Sequence, residues 1–569
     1  MVMQKKWIEK EAIQLEAIRN LSESININPV LSKILIQRDI NTYDKAKKFF
    51  RPNLDSLHDP FLMKDMEKAV ERLITAISNN EAILVYGDYD VDGTTAVASM
   101  YSFIKSIYEH VSYYIPDRYL EGYGISTQGI DFAKENDFKL IISLDCGIKA
   151  VDKINYANKL GVDFIICDHH LPDVQVPAAI AVLDPKQKDC TYPFKELSGC
   201  GVGFKLIQAY CKRQNLPDHM PFEYLDLLAV SIAADIVSVV GENRTLAFYG
   251  LEKINFNPRP GIKAILESAM IKGKINISHL VFQLSPRINA AGRIDHAHLA
   301  VKLLTASNEE EAALIALQIG DKNNRRKDFD KDITSQALAL INSDSKLQNA
   351  KTTVLYHKNW HKGVIGIVAS RCIEHFYRPT IILTESNGQA TGSARSVAGY
   401  NIHTAIEQCS ELLDQFGGHK YAAGLSMPIE NIDAFIEKFE NIVAANIQDD
   451  QLIPKIHIDT FLDLDLINER FYKILAQMDP FGPDNMQPVF AAHEVMLVEE
   501  VVIMKEQHIK LVIKQKGGKQ AVTAVGFGMA HFKELISFNQ PFEIAFNIQQ
   551  NEYKGVNSLQ LMIKDIRLI

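Results

Sequence analysis

Residues 82 to 87 read Ala-Ile-Leu-Val-Tyr-Gly and run into Asp88, Tyr89, Asp90, Val91, Asp92 and Gly93, so three carboxylates stand at alternate positions where an apolar strand enters a glycine turn. Like charges this close stay ionised together at neutral pH only with something cationic among them, and the cluster reads first as a divalent metal site. Two further apolar runs end in the same way. Leu140 to Leu144 leads into Asp145, Cys146 and Gly147, and Phe164 to Cys167 leads into Asp168, His169 and His170. Another acid, Asp235, interrupts the apolar run Leu225 to Val237. Unpaired in such a place it would protonate, so it is expected to face a cation rather than hydrocarbon.

Mixed carboxylate and imidazole ligands favour Mn2+ or Mg2+ over a thiolate-loving metal. Two such ions together would position and activate a water and stabilise charge on a phosphoryl oxygen, which is the chemistry of phosphoester hydrolysis. Blander readings compete. Asp-x-Asp-x-Asp-Gly also opens a calcium-binding helix-loop-helix, but the twelfth position here is Ser99 rather than Glu, and a strand precedes the loop. A lone Asp after a strand is usually a turn or helix cap, and a lone His pair is usually structural. Their joint occurrence on neighbouring strand ends favours the metal.

These ligands must be carried by a sheet. Met66, Ala69, Val70, Leu73 and Ile77 have helical spacing, and that helix should stop at Ser78-Asn79-Asn80 before a strand over 82–86. Apolar runs at 111–115, 140–144, 164–167 and 178–183 are separated by enough chain for crossover helices, which predicts a parallel sheet with helices on its faces. In such a sheet ligands bind beyond the carboxyl ends of the strands. Residues 221–240 are expected to form an apolar helix, and 308–343 a long exposed helix linking two lobes. A second α/β unit should begin at Thr352, with strands at 353–356 and 380–383, and end near 445. Beyond Pro454 short alternating strands and turns such as Lys516-Gly517-Gly518-Lys519 suggest a small all-β barrel. The expected domains are a helical lead-in over 1–60 feeding the α/β core, a catalytic α/β lobe over 61–245, a helical connector over 246–350, a smaller α/β lobe over 351–446 and the barrel over 447–569.

Composition sets outer limits. With 569 residues, 47% of them apolar, the chain is too long for one core and is expected to be a soluble protein of three or four domains. Seven scattered cysteines without a Cys-x-x-Cys pair argue against a zinc ribbon or a disulfide framework. The stretch Met1 to Leu15 has no signal-peptide core, and no window offers roughly 18 uncharged apolar residues, so a cytoplasmic location is expected. A net charge of -9 gives no global attraction for nucleic acid, so phosphate binding would need local basic surfaces or bound metal. There is no phosphate-binding Gly-x-x-x-x-Gly-Lys-Ser/Thr loop, which disfavours an ATP-driven enzyme.

Asp88-Tyr89-Asp90-Val91-Asp92-Gly93 together with Asp168-His169-His170 resembles the DHH phosphoesterase superfamily. Tyr114-Ile115-Pro116-Asp117-Arg118, Glu121-Gly122-Tyr123-Gly124, Gly241-Glu242-Asn243-Arg244 and Pro286-Arg287-Ile288-Asn289-Ala290-Ala291-Gly292-Arg293 narrow this to a resemblance with RecJ-type single-strand-specific DNA exonucleases. The second lobe adds His361-Lys362-Gly363-Val364-Ile365-Gly366, Gly392-Ser393-Ala394-Arg395-Ser396 and Phe416-Gly417-Gly418-His419, similar to the superfamily's associated C-terminal domain. The barrel, ending in Asn551-Glu552-Tyr553-Lys554-Gly555 and 560–566, resembles an OB-fold. One departure is visible: Gly482-Pro483-Asp484-Asn485-Met486-Gln487-Pro488 stands where the family commonly shows Gly-x-Gly-Asn-Pro.

The resemblance implies metals held by Asp90, Asp92, Asp145, His169 and Asp235, two Mn2+ or Mg2+ ions in all, with Asp88 and His170 adjacent. It also implies a pocket for a 5'-terminal phosphate formed by Arg118, Ser393, Arg395 and an arginine of the 287–293 motif, with Asn289 near the substrate; His419, behind two glycines, either touches the scissile phosphate or simply packs. The bland alternative for Arg287 or Arg293 is a structural ion pair. The implied activity is 5'-to-3' degradation of single-stranded DNA to 5'-mononucleotides in repair and recombination, by a monomer, with a single-strand-binding protein and a helicase as partners. Lys505, Lys510, Lys514, Lys516 and Lys519 would supply the barrel's charge, unless they form only a solvated face. Two other readings compete: a DHH-type phosphodiesterase acting on short oligonucleotides or cyclic dinucleotides, and an inactive relative that only binds single strands. The extra barrel disfavours the first and the complete set of acids the second.

Overall fold

The computed structural model describes residues 5–118, 120–294, 297–538, 540–553 and 555–569, so Met1 to Gln4 of the lead-in and Lys554 of the closing hairpin lie outside the described residues. The chain divides into two compact units. One is formed by Glu11–Lys322 with Asp459–Ile569, the other by Met1–Lys10 with Asn323–Ile458.

In the first unit, helix Met66–Ser78 buries Met66, Ala69, Val70 and Leu73, as their spacing predicts. A parallel five-stranded sheet follows, ordered Val111–Tyr114, Ala82–Gly87, Phe138–Leu144, Asp163–Cys167 and Ala181–Leu183. Its strands are apolar on both faces because separate helical layers cover each. Successive strands leave Ala82–Gly87 in opposite directions, so strand order reverses beside it, and Asp88 and Asp145 flank that reversal.

Two expected elements are shorter than predicted. The edge strand begins at Ala181 rather than 178, where Ile180 is already 43% exposed and only one neighbouring strand is available for pairing. The apolar run 221–240 is not one helix: a 3-10 turn Met220–Tyr224 precedes helix Leu225–Ala234, which stops because Ile236 adopts φ +57°. That break places Asp235 at a helix end.

The barrel of the same unit closes on itself. Phe490–Leu497 pairs with both Phe542–Tyr553 and His508–Gln515, and Val522–Gly526 and Val556–Leu568 complete the ring. Helices Leu15–Ile25, Pro29–Ile36 and Tyr43–Phe50 put Leu21, Leu31, Ile34, Leu35 and Ala46 into the barrel's core. The N-terminal helices therefore serve the barrel and do not lead into the parallel sheet, a pairing across more than four hundred residues that no local pattern announces. Nor is the lead-in wholly helical. Lys6–Glu9 is a strand of the second unit, parallel to Lys455–Ile458.

The second unit is a mixed sheet ordered Gln415–His419, Ala422–Met427, Gln389–Arg395, Thr380–Ser386 and Thr353–Tyr356, packed against helices Ile365–His375 and Ile432–Asn446. The predicted long helix spans Glu309–Ser343, and the division between units falls inside it. Among the described residues no helix is long and apolar enough to cross a membrane, and the seven cysteines are free and buried.

Candidate metal centre

The Gly87–Gly93 turn is tight enough that its glycines cannot be replaced cheaply. A Cβ on Gly87 would meet Val97 Cγ2 at 2.4 Å, and one on Gly93 would meet the Asp88 carbonyl at the same distance. Asp90 caps helix Val91–Ile107, its Oδ1 accepting from the Gly93 amide at 3.0 Å. The modest helix-cap role and the cluster role coincide in this residue.

Asp92 is buried in the first turn of the same helix, and its orientation is over-determined. Oδ2 accepts from the Gly199 amide at 2.7 Å, and Oδ1 from the Cys200 amide at 2.9 Å and from Ser231 Oγ at 2.6 Å. The two amides open helix Gly199–Arg213, capped by Ser198, whose N-terminal dipole favours the charge. Asp145 sits at φ +59°, a left-handed conformation that costs a non-glycine residue about 1 kcal/mol. Gly199 leaves room for it: a Cβ there would lie 2.6 Å from Asp145 Oδ1.

His169 is the common point of the acids. Its Nε2 lies 3.2 Å from Asp145 Oδ1, 3.5 Å from Asp235 Oδ2 and 3.9 Å from Asp92 Oδ2. Two overlapping groups, Asp145 with His169 and His170, and Asp92 with His169 and Asp235, each present ligand atoms within 4.8 Å of one another. Asp90 and Asp88 stand outside both groups. Asp168, first residue of the triplet, faces inward: it accepts from the amides of Ile148 (2.9 Å), His169 (2.7 Å) and His170 (3.2 Å), and its Oδ1 lies 2.7 Å from His170 Nδ1. Tyr123 Oη lies 3.2 Å from the other ring nitrogen of His170.

Burial and mutual repulsion push the acids upward. Burial first, then Asp90, raises Asp88 well above the carboxylate range; burial, then Asp92, raises Asp90; burial, then Asp92, Asp90 and Asp235, raises Asp145. Asp235 reaches about 8 by burial and the charges of Asp92 and Asp90. Asp168 goes the other way, to about 2, because its hydrogen bond with His170 and the amides around it outweigh burial. Burial lowers His169.

Among the described residues, both carboxylate oxygens of Asp88, Asp145 Oδ1 and both ring nitrogens of His169 are buried without a hydrogen-bond partner. Unpartnered hard oxygens and a neutral imidazole, gathered where like charges repel, fit a divalent cation of the Mn2+ or Mg2+ type.

The residues expected to bind substrate fall into two sets. In the first unit the Arg118 guanidinium lies 4.9 Å from the Tyr89 ring centroid. Helix Ser285–Ile294 carries Arg287, Asn289 and Arg293, all half-buried, and packs so close that a Cβ on Gly292 would be 3.1 Å from the Tyr89 carbonyl. Arg287 donates to the Gln283 carbonyl at 2.5 Å, a bond within its own helical segment rather than an ion pair. In the second unit Arg395 Nη1 donates to Ser393 Oγ at 3.0 Å, and Gly366 leaves the space both occupy, its absent Cβ lying under 3 Å from each. His419 ends the exposed strand Gln415–His419. On the barrel, Lys516 pairs with Glu494.

Local sequence pattern does not single out Gly199, Cys200 and Ser231, which hold Asp92, nor Ser198, which bonds Ser231, nor the inward role of Asp168. The glycine-rich run Ser198-Gly199-Cys200-Gly201 was the available signal: a helix start that close-packs something against its backbone.

Residues 82–232 match the model of the DHH family, N-terminal domain, 349–445 that of the DHHA1 domain and 458–565 that of the RecJ OB domain. Fold and acid cluster thus define a DHH phosphoesterase with an added OB domain. The single-stranded-DNA-specific exonuclease RecJ of Bacillus subtilis is 35% identical over 97% of this chain and 69% of its own length, and that of Escherichia coli 31% identical over 98% and 99%. The crystal structure of RecJ in complex with Mn2+ from Thermus thermophilus superposes with a TM-score of 0.84 at 26% identity, covering 99% of this chain and 79% of that one; its Mg2+ complex gives 0.78 at 25%, covering 99% and 78%. The chain belongs to the RecJ family of single-stranded-DNA-specific exonucleases.

Proposed function

We propose that the chain is a divalent-metal-dependent exonuclease that releases 5'-mononucleotides from the 5' end of single-stranded DNA, in repair and recombination. The observation that carries this reading is His169, buried with no hydrogen-bond partner on either ring nitrogen among the described residues and within 3.9 Å of three carboxylates. Asp90, Asp92, Asp145, His169 and Asp235 would hold two Mn2+ or Mg2+ ions, with Asp88 and His170 beside them. Bound there, the ions supply Lewis acidity toward a phosphoryl oxygen and lower the pKa of water.

The chain's own groups do the rest. The Gly199 and Cys200 amides and Ser231 fix both oxygens of Asp92. Asp168 fixes the ring of His170 through Nδ1, so that Nε2 and Tyr123 Oη face one another. Arg118, Arg287, Asn289 and Arg293 in one unit, and Ser393, Arg395 and His419 in the other, are assigned to the DNA, because guanidinium forks match phosphate oxygens and Ser393 already orients Arg395. The barrel would add a basic path for single strands through Lys505, Lys510, Lys514 and Lys519. We assign catalysis to 61–245 and strand binding to the lobe over 351–446 and the barrel over 447–569. A monomer acting in the cytoplasm, supplied with single strands by a helicase and a single-strand-binding protein, completes the reading.

A length series separates this from a phosphodiesterase of short oligonucleotides or cyclic dinucleotides. Dinucleotides, cyclic dinucleotides and single strands of about fifty nucleotides are offered with Mn2+, Mg2+ or chelator. The proposal expects the highest kcat/KM on the long single strand and no hydrolysis with chelator. Preference for the dinucleotides would overturn it.

A further inference from the structure

The loop leading into the barrel, 477–486, touches the segment that follows Asp235. The amide of Val239 donates to the Pro483 carbonyl at 2.8 Å, and Ser238 Oγ donates to Asp484 Oδ2 at 2.6 Å. Arg244, on the helix that the segment enters, donates to the carbonyls of Met478 (3.3 Å) and Asp479 (2.9 Å) and stacks 4.0 Å from the Phe49 ring. Gly482 lies so near that a Cβ on it would meet Val239 Cγ2 at 2.4 Å. Asn485, nearly fully buried, ties the loop to itself by donating to the Met478 and Pro480 carbonyls.

Both partners of this contact carry backbone strain. Ile236, next to Asp235, is a β-branched residue at φ +57°, and Asp484 is a non-glycine residue at φ +60°. Such conformations persist only where surrounding contacts over-determine them. Ile236 is 65% exposed and gains little from packing; the segment that follows is anchored by Val239, buried in the core, by Asn243 Nδ2 donating to the Ser238 carbonyl at 3.0 Å, and by the loop, whose Asp484 takes the Ser238 side chain. A glycine would suit position 484 better on backbone grounds, yet only a side chain there can reach Ser238.

We propose that Asp484 is a positioning residue of the metal centre. Through Ser238 it sets the course of the chain that leaves Asp235, and so the direction in which that carboxylate faces His169 and Asp92. The inference rests on Asp235 being a metal ligand. It makes the barrel's entry loop a structural part of the catalytic unit rather than a passive linker.

The test is Mn2+ binding by the full chain, with free Mn2+ measured by electron paramagnetic resonance, in Asp484→Gly, Ser238→Ala, the double variant, Asp484→Asn and Asp235→Ala. Melting of the metal-free proteins is followed in parallel. Asp484→Gly and Ser238→Ala should each weaken binding by about tenfold, the scale of an outer-shell partner. The double variant should be no worse than either, and Asp484→Asn, which keeps an acceptor and tolerates the left-handed backbone, should retain most of the affinity. Because glycine relieves strain, metal-free melting of Asp484→Gly should not fall. Unchanged Mn2+ affinity in Asp484→Gly and Ser238→Ala, beside a clear loss in Asp235→Ala, would overturn the positioning role alone. Unchanged affinity in Asp235→Ala would overturn the ligand assignment and this inference with it.

Discussion

Ser231 Oγ donates a 2.6 Å hydrogen bond to Asp92 Oδ1 from the helix whose end is marked by Asp235. One short helix thus holds one acid of the centre through a hydroxyl and carries another at its C-terminus. The hydroxyl sits among apolar residues, and the groups it meets are Asp92 and, at 2.7 Å, Ser198 Oγ, so it aims Asp92 and ties it to the cap of helix Gly199–Arg213.

Ser231→Ala should therefore weaken Mn2+ binding about tenfold or more and lower kcat, while costing roughly 1.5–3 kcal/mol in stability for a hydrogen bond to a charged group. Calorimetric titration and denaturant melting measure the two effects separately. An unchanged Mn2+ affinity would show that the amides of Gly199 and Cys200 aim Asp92 unaided.

Removing a ligand should separate stability from activity. Asp145→Asn removes one member of a set of repelling buried carboxylates, so the metal-free protein should melt higher than the wild type, whereas the rise in Tm caused by Mn2+ should shrink and hydrolysis should be abolished. His169→Ala should abolish hydrolysis in a folded protein. Differential scanning fluorimetry with Mn2+ or chelator checks the first pair of effects; wild-type turnover in either variant would contradict the ligand assignment.

The pH dependence has a definite sign. In the metal-free protein Asp235 is raised from the ordinary 3.8 to about 8, so the folded state holds a proton that the unfolded chain releases. Stability from this group is present below about pH 4 and is lost as pH rises through about 8. Metal binding requires the deprotonated acid, so the Mn2+-induced rise in Tm should grow across the same window. Melting with chelator and with Mn2+ at about pH 5 and about pH 8 tests both slopes, and a Mn2+ effect independent of pH would count against it.

At the other lobe, Arg395→Ala should weaken the use of 5'-phosphorylated ends more than it slows chemistry. Gly366→Ala should act in the same direction, because its Cβ would displace Ser393 and Arg395. The comparison is kcat/KM on 5'-phosphorylated against 5'-hydroxyl strands. Equal losses on both would remove Arg395 from end recognition.

The parallel sheet and the acids at its strand ends were legible because they are local: an apolar run, then Asp, repeated three times. The strand alternation of the barrel and the long helix were legible for the same reason. Local pattern could not show what distant elements do to one another. The N-terminal region reads as a helical lead-in to the α/β core, and only the fold shows Leu31 and Leu35 inside the barrel core. Asp235 drew attention by interrupting an apolar run, but the backbone break at Ile236 that ends its helix leaves no composition signal. Asp168 looks like its neighbours in sequence and differs only in facing three amides.

The most direct test of the central claim is digestion of one oligonucleotide, labelled separately at its 5' and 3' ends, single-stranded or in duplex, with Mn2+, Mg2+ or chelator. The account predicts early release of a labelled mononucleotide from the 5' end, from single strands only and only with metal. Early release of the 3' label, equal attack on duplex, or release in chelator would contradict it.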